Sequence, residues 1–335
     1  MTPREASRYQ YERMRAVVTG GAGFIGSTLV GRLLDEGNQV RLVDCFTDYY
    51  DVEQKRANLT TFASAPLLDL IEADLVTTDV GTIVEGADVV WHLAGQPGVR
   101  LSWSDGFADY DARNVLATQR LLEACKSNAV PRIMYASSSS VYGNAERYPT
   151  LESDRPEPFS PYGVTKLAAE HLCSLYAANW GVPTVSLRYF TVYGPRQRPD
   201  MAHHRLIEAA LDQRQFPLFG DGSQERAFTF VDDVVEATYL AGVTPDVQPG
   251  TVLNVSGRFS CSLAELIEMV GTAVGRPVPL DRRPPQPGDA HKTGGSTERI
   301  ESVLGWTART SLEDGIAAQV AWHRQRRAER DAASS

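Results

Sequence analysis

No apolar run in this chain of 335 residues reaches the roughly 20 needed to cross a bilayer, and Met1 to Arg13 is polar and charged, unlike a secretion signal. A cytoplasmic protein with a loosely docked leader over residues 1–13 and no membrane partner is therefore expected. Cysteines are few and scattered: Cys45, Cys125, Cys173 and Cys261 share no spacing that suggests zinc or a disulfide framework. Positive charge is in deficit, with 33 Lys and Arg against 42 Asp and Glu, so no basic face for a nucleic acid is implied. His203 and His204 lack acid partners at ligand spacing and read as loop or helix surface, while Asp48 and Asp51 form no clear pair. No metal is expected. The arginines near the C-terminus, Arg324, Arg326 and Arg327, read as a solvated helix face. There is no internal repeat.

What is present begins at Arg15-Ala16-Val17-Val18-Thr19, a β-branched run that stops at Gly20-Gly21-Ala22-Gly23-Phe24-Ile25-Gly26. An amphipathic helix follows to about Glu36, closed by Gly37, and a second strand, Gln39 to Val43, ends in Asp44. Strand, glycine turn, helix, strand and acid within about thirty residues form the context in which a glycine pattern points to a dinucleotide. Gly20, Gly23 and Gly26 let the backbone turn tightly and approach a pyrophosphate at the helix N-terminus. Asp44 accepts ribose hydroxyls and repels a 2′-phosphate, which favours NAD over NADP.

The alternation continues through strands at Leu70–Asp74, Asp88–Gly95, Arg132–Ala136 and Thr184–Tyr189, with long helices over about 107–126 and 161–179. Asp74 closes its strand where it can reach an adenine amino group. The expected fold is α/β: a doubly wound parallel sheet of Rossmann type, with ligands at the carboxyl ends of its strands, and a smaller mixed α/β substrate region. Residues 14–193, with part of 228–258 returning, would form the NAD-binding domain, and 194–227 with 259–328 the substrate region. In that second part a helix over Met201–Asp212, a strand over Leu218–Ser223, a helix over Ser262–Val274 and a terminal helix over Leu312–Arg327 are predicted.

Tyr162 and Lys166 stand four residues apart on a predicted helix, so both side chains share one face. A phenol with a pKa of about 10 is a poor base at neutral pH unless a neighbouring cation lowers it. Alone, this pair behind Pro161 would pass as an ordinary helix start. The glycine turn, Asp44 and the serine cluster Ser137 to Ser140 at the end of the preceding strand give it a different meaning.

Together, Gly20 to Gly26, Asp44, Ser138, Tyr162 and Lys166 resemble the extended short-chain dehydrogenase/reductase family, in its nucleotide-sugar epimerase branch. The resemblance runs from about Arg15 to Trp306. Within the branch the match is strongest to the UDP-glucuronate 4-epimerases, through Tyr49-Tyr50-Asp51-Val52 with Lys55-Arg56, Gly98-Val99-Arg100, Ser137 to Gly143, and Arg188 to Pro195 running on to Arg198-Pro199-Asp200-Met201. It implies an isomerase that uses NAD and a transient 4-keto sugar, and a homodimer built on the two long helices. Tyr162 would be the acid/base on the sugar 4-hydroxyl, Lys166 would lower its pKa and bind the nicotinamide ribose, and Ser138 would orient the hydroxyl. Phe24, Ile25, Asp74, Leu75, Leu93, Ala94, Gln96, Asn114 and Ser137 would line the cofactor, with Tyr189 near the nicotinamide. Arg226 and Asp289 would hold the UDP, and Arg100 would reach the substrate. Gly95, where the family more often has alanine, and the segment His291 to Ser296 depart from the pattern.

For the sugar carboxylate, Arg198 and Thr191 follow a strand end that faces the ligand crevice, with Ser139 and Ser140 on the adjacent turn. A guanidinium grips a carboxylate bidentately and hydroxyls complete its hydrogen bonds; contact with phosphate is the other reading of Arg198. Decarboxylases of the family carry glutamate at the position of Ser140, and dehydratases an Asp-Glu pair at Ser139 and Ser140. The rival activities are a UDP-glucose or UDP-N-acetylglucosamine 4-epimerase, a 4,6-dehydratase, a UDP-glucuronate decarboxylase, and a non-catalytic NAD-binding regulator. The last would be expected to have lost Tyr162 or Lys166.

Overall fold

A computed structural model describes residues 13–284 and 292–333 of the protein. Residues 1–12 of the expected leader 1–13, and Asp289, lie outside the described residues.

The first half of the chain lays down strands and helices by turns. β1 (Arg15–Thr19) is followed by α1 (Phe24–Asp35), β2 (Gln39–Asp44), the short α2 (Val52–Ala57), β3 (Leu68–Glu72), α3 (Val80–Val84) and β4 (Val89–His92). The apolar runs in these strands suit a sheet covered on both faces, and Val89, Val90 and Trp91 are fully buried. Next come α4 (Phe107–Tyr110), a π-helical stretch (Asp111–Leu116) and α5 (Ala117–Ser127), where the sequence suggests one unbroken helix. The difference matters, because π-bulges re-aim side chains and collect at functional sites. Here the bulge carries Asn114, which is 1% exposed.

β5 (Ile133–Ser138) leads to α6 (Pro161–Trp180), whose N-cap Ser160 accepts a hydrogen bond from the Gly163 amide and whose end is set by Gly181 at φ 65°. β6 (Thr184–Tyr189) and β7 (Thr191–Tyr193) follow, then α7 (Ala202–Asp212), β8 (Phe216–Phe219), β9 (Glu225–Phe230), α8 (Val231–Val243) and β10 (Thr251–Val255). The chain finishes with β11 (Ser260–Ser262), α9 (Leu263–Val274), β12 (Leu280–Arg283), β13 (Lys292–Thr293), α10 (Glu298–Leu304) and α11 (Leu312–Ala333).

Seven strands form one sheet in the order β10-β6-β5-β4-β1-β2-β3, and every adjacent pair is parallel. The order reverses between β1 and β4. A crevice therefore opens beyond their carboxyl ends, with the glycine turn on one side and Leu93 to Gly95 on the other. Outside this sheet, β9 pairs with β7, β11 and β13, while β8 pairs with β12. The β7–β9 pairing sets Thr191 opposite Phe228, next to the large sheet's last strands.

One surface reading fails and another holds in part. His203 is 1% exposed, stacked 4.8 Å from the Tyr193 ring, because α7 turns that face inward. Arg324 is exposed, although it donates to the Val274 carbonyl, while Arg326 and Arg327 are half-buried and Arg327 pairs with Glu208 and Asp212.

Candidate active site

The glycine turn is built by close approach. Gly20 has φ 71°, a conformation an L side chain adopts only with strain, and a Cβ there would sit 2.7 Å from the Ala94 amide nitrogen. A Cβ on Gly26 would lie 2.2 Å from the Gly20 carbonyl oxygen, so α1 starts directly against the turn. Its N-cap, Gly23, offers no side-chain cap, which leaves the first amides of the helix for an anion. Asp44 is buried; its carboxylate accepts from the Ala22 and Phe46 amides at 3.1 and 2.9 Å, which fixes it beside the turn. Lys55, which the sequence reading left without a role, comes within 3.9 Å of Asp44 and donates to Thr47. A diphosphate and a ribose fit this cradle.

The turn, the strand ends and the 46–51 loop border a single cavity of about 1030 Å³. Gly20, Gly23, Phe24, Ile25, Gly26, Asp44, Asp74, Leu75, Leu93, Ala94, Gln96, Ser137, Tyr162, Lys166 and Tyr189 line it, as do Arg100, Ser138, Ser139, Ser140, Thr191, Arg198 and Arg226. Asn114 stands behind the wall: its Oδ1 accepts from the Gln96 amide at 2.7 Å, while Nδ2 donates to the Gln96 carbonyl and to Thr165 Oγ1. It ties the turn after β4 to α6. Gly95 makes this possible, since a Cβ there would sit 2.7 Å from Asn114 Oδ1 and 3.3 Å from Lys166 Nζ.

At the centre, Ser138 hydrogen-bonds Tyr162 and also accepts from the Ser140 amide at 3.1 Å. The Tyr110 ring meets the Tyr162 ring edge-on at 6.1 Å between centroids, a second residue with no role in the sequence reading. Burial raises the Tyr162 phenol, and the Ser138 bond and the Arg198 charge offset part of that rise. Lys166 Nζ donates to the Ala136 carbonyl at 2.9 Å, turned along the strand end, and burial brings its own pKa down to about 8. This has a measurable consequence. With a folded pKa of about 8 against 10.5 when exposed, the folded state releases the proton first, so the unfolded state binds more protons between those values. Stability of the wild type relative to Lys166→Met should therefore rise as pH climbs from 8 to 10.5, by an amount of order 3 kcal/mol. Urea unfolding across that range would show a pH-independent difference if the lysine were ordinary.

Arg198 also differs from its simplest expectation. Its Nε and one terminal nitrogen make a forked pair with Asp200, both at 3.0 Å, and Tyr49 donates to the same carboxylate. Only the remaining guanidinium edge faces other anions.

Behind the serine cluster lies a buried polar network that sequence reasoning missed. Glu170, one turn beyond Lys166, accepts from Ser137 Oγ at 2.6 Å and from Arg188 at 2.6 and 3.0 Å. Arg188 continues to the Tyr142 hydroxyl at 2.7 Å, and Tyr142 donates to Asn254. The signal was available: Tyr162, Lys166 and Glu170 stand at i, i+4 and i+8 on one helix face.

The NAD dependent epimerase/dehydratase family matches residues 16–256. An uncharacterized UDP-glucose epimerase of Bacillus subtilis (strain 168) is 39% identical over 310 residues, covering 92% of this chain and 98% of the relative. A "Probable UDP-glucuronate 4-epimerase" of Rhizobium meliloti (strain 1021) is 36% identical over 333 residues, covering 93% and 97%. Among solved structures, the UDP-glucuronic acid 4-epimerase of Bacillus cereus, in complex with UDP-glucuronic acid and NAD, superposes with a TM-score of 0.90 at 39% identity over 93% of this chain and 99% of that one. The chain belongs to the NAD dependent epimerase/dehydratase family.

Proposed function

We propose that the protein is an NAD-dependent UDP-sugar 4-epimerase that interconverts UDP-glucuronate and UDP-galacturonate. The observation that carries this reading is the meeting of Ser138, Tyr162 and Lys166 with the glycine cradle in one cavity that also contains Arg198, Thr191 and the Ser139-Ser140 pair. Gly20, Gly23, Gly26 and the α1 amides would hold the cofactor's diphosphate and Asp44 its adenosine ribose. Asp74 and Leu75 would border the adenine end, and Tyr189 the nicotinamide end. NAD, when bound, takes up hydride from the sugar and returns it. Tyr162 takes the proton of the 4-hydroxyl and gives it back, Ser138 holds that hydroxyl, and Lys166 carries positive charge beside both. Arg226, with Asp289, is proposed for the UDP moiety, and Arg100 for the substrate at the cavity mouth.

The division into an NAD-binding part, 14–193 with a share of 228–258, and a substrate part, 194–227 with 259–328, belongs to the same proposal. So do a cytoplasmic location and a homodimer. None of the helices among the described residues is long and apolar enough to cross a membrane. Leu116, Val164, Leu175 and Trp180 are exposed apolar residues on the stretches expected to pair, which supports the dimer.

The test is purified protein with UDP-glucuronate, UDP-glucose and UDP-N-acetylglucosamine, and products resolved by NMR. UDP-galacturonate should be the main product from the first, with only trace UDP-pentose. Serine at positions 139 and 140 holds a carboxylate without the repulsion a second carboxylate would bring, and hydroxyls with pKa far above 7 serve poorly as acid and base for elimination. Stoichiometric carbon dioxide release would remove this reading. Arg198→Ala should lower kcat/KM for UDP-glucuronate about 10- to 100-fold, the cost of one charge-assisted contact, with little effect on UDP binding. Equal losses for both ligands would assign Arg198 to the diphosphate.

A further inference from the structure

We infer that His204, Glu208 and His323 form a binding site for a divalent transition-metal ion, outside the substrate cavity, that joins α7 to α11. One ligand atom from each of the three lies within 4.8 Å of the other two. His204 and Glu208 stand at i, i+4 on one face of α7, so the acid partner that the sequence reading found lacking is one turn away. His323 comes from α11, and the two imidazole rings meet at 4.5 Å between centroids, inclined at 72°.

The hydrogen bonds around the rings indicate which nitrogen of each would coordinate. His204 Nδ1 lies 3.0 Å from the Gln197 carbonyl, which makes Nδ1 the protonated nitrogen and leaves a lone pair on Nε2. His323 Nδ1 lies 2.5 Å from Glu208 Oε1, while its Nε2 is buried without a hydrogen-bond partner, in a side chain only 2% exposed. Nδ1, the nitrogen beside Glu208, is therefore the ligand atom of His323, and Nε2 carries the ring proton. Glu208 meets His323 through one carboxylate oxygen and the Arg327 guanidinium through the other.

Two imidazoles and a carboxylate suit zinc, nickel, cobalt or copper, with water completing the sphere. Bonds of about 2.0–2.1 Å would set the ligand atoms roughly 3.4 Å apart, so His323 Nδ1 and Glu208 Oε1, now at 2.5 Å, open by about 1 Å on binding while His204 closes in. Binding through His323 Nδ1 and Glu208 releases the proton between them to solvent. The Arg327 guanidinium on the other Glu208 oxygen opposes the ion's charge, and its second bond, to Asp212, offsets part of that opposition. His204 and Glu208 are only half-buried, which leaves a way in. The ion would fix α11 to the helix whose first turn supplies Ala202 and Arg205 to the cavity wall.

The experiment uses the full chain without an affinity tag, stripped with chelator and titrated with zinc chloride by calorimetry, with cobalt(II) absorption as a second readout. One equivalent per chain should bind, the cobalt form should show d–d bands of a low-symmetry site with nitrogen ligands, and the melting temperature should rise on saturation. His204→Gln and His323→Gln should each weaken zinc binding by about 10²-fold or more, whereas His171→Gln, at an exposed position, should not. Circular dichroism of the metal-free variants establishes that they are folded. Should they fail to fold, the wild-type titration alone decides. No saturable zinc binding by the wild type, or binding unchanged in both variants, would overturn the site and leave a metal-free His–Glu–Arg clamp between the helices.

Discussion

Tyr162→Phe is expected to lower kcat by about 10² or more while the protein still carries NAD. In the proposed mechanism the phenol exchanges a proton with a sugar hydroxyl held by Ser138, and phenylalanine keeps the ring that Tyr110 packs against. The cradle of Gly20, Asp44 and the α1 amides is untouched, so dinucleotide released on denaturation should match the wild type. Lys166 also lines the cavity, but its ammonium donates to the Ala136 carbonyl, and in the proposed mechanism it serves as a nearby charge rather than as the base. Single-turnover measurements with UDP-glucuronate should place the whole loss in the proton-coupled hydride step and leave substrate affinity within about threefold. Near-wild-type turnover would show that the base lies elsewhere. Loss of NAD along with activity would show that the phenol's main role is to hold the cofactor.

That experiment rests on residues legible in the sequence, and their legibility has a local cause. A glycine that must take φ 71°, an acid at a strand end and an i, i+4 pair are short-range patterns, and strands such as β4, with Val89, Val90 and Trp91 fully buried, show as apolar runs between them. β1 and β6 fall where the apolar runs end. β3 begins two residues earlier than expected, because Leu68 and Asp69 pair with Val40 and Arg41 while the acid Asp74 lies past the strand, in the turn. The second half was harder. β9 and α8 meet at Phe230–Val231 without a breaker, and β7 and β13 are three and two residues long, held by pairing to β9 rather than by their own composition. The same limit applies to His204 and Arg198. Each was read from its neighbours in sequence, whereas His323 lies 119 residues away, and Asp200 sits close by but takes up a role that only the fold assigns. Long-range pairing of polar groups leaves no periodic trace.

Arg188→Leu is expected to destabilise the protein by about 3–5 kcal/mol, a fall of about 4–7 °C in Tm, more than any substitution on the exposed surface. Glu170 and Arg188 are 3% and 5% exposed, joined by a forked pair, and water cannot replace a lost partner there. Burial works against the Arg188 charge, and the bonds to Glu170 more than compensate, holding the guanidinium firmly protonated. Leucine would leave Glu170 with the Ser137 hydroxyl alone and strip the Tyr142 hydroxyl of its donor. The cost is mainly that of an uncompensated buried anion, not the net worth of the pair. The double change Glu170→Leu with Arg188→Leu should therefore lose less than the single Arg188→Leu, despite removing more polar contacts. Arg188→Lys should fall between, since an ammonium keeps the charge but not the fork that also spans Tyr142. A chemical-denaturation series on the wild type and these three variants decides it. If the double variant proves less stable than Arg188→Leu, the network stabilises the fold through its hydrogen bonds and not chiefly by neutralising Glu170. Because Ser137 precedes Ser138 on the strand end that faces Tyr162, any repacking in these variants should also lower kcat before it alters KM.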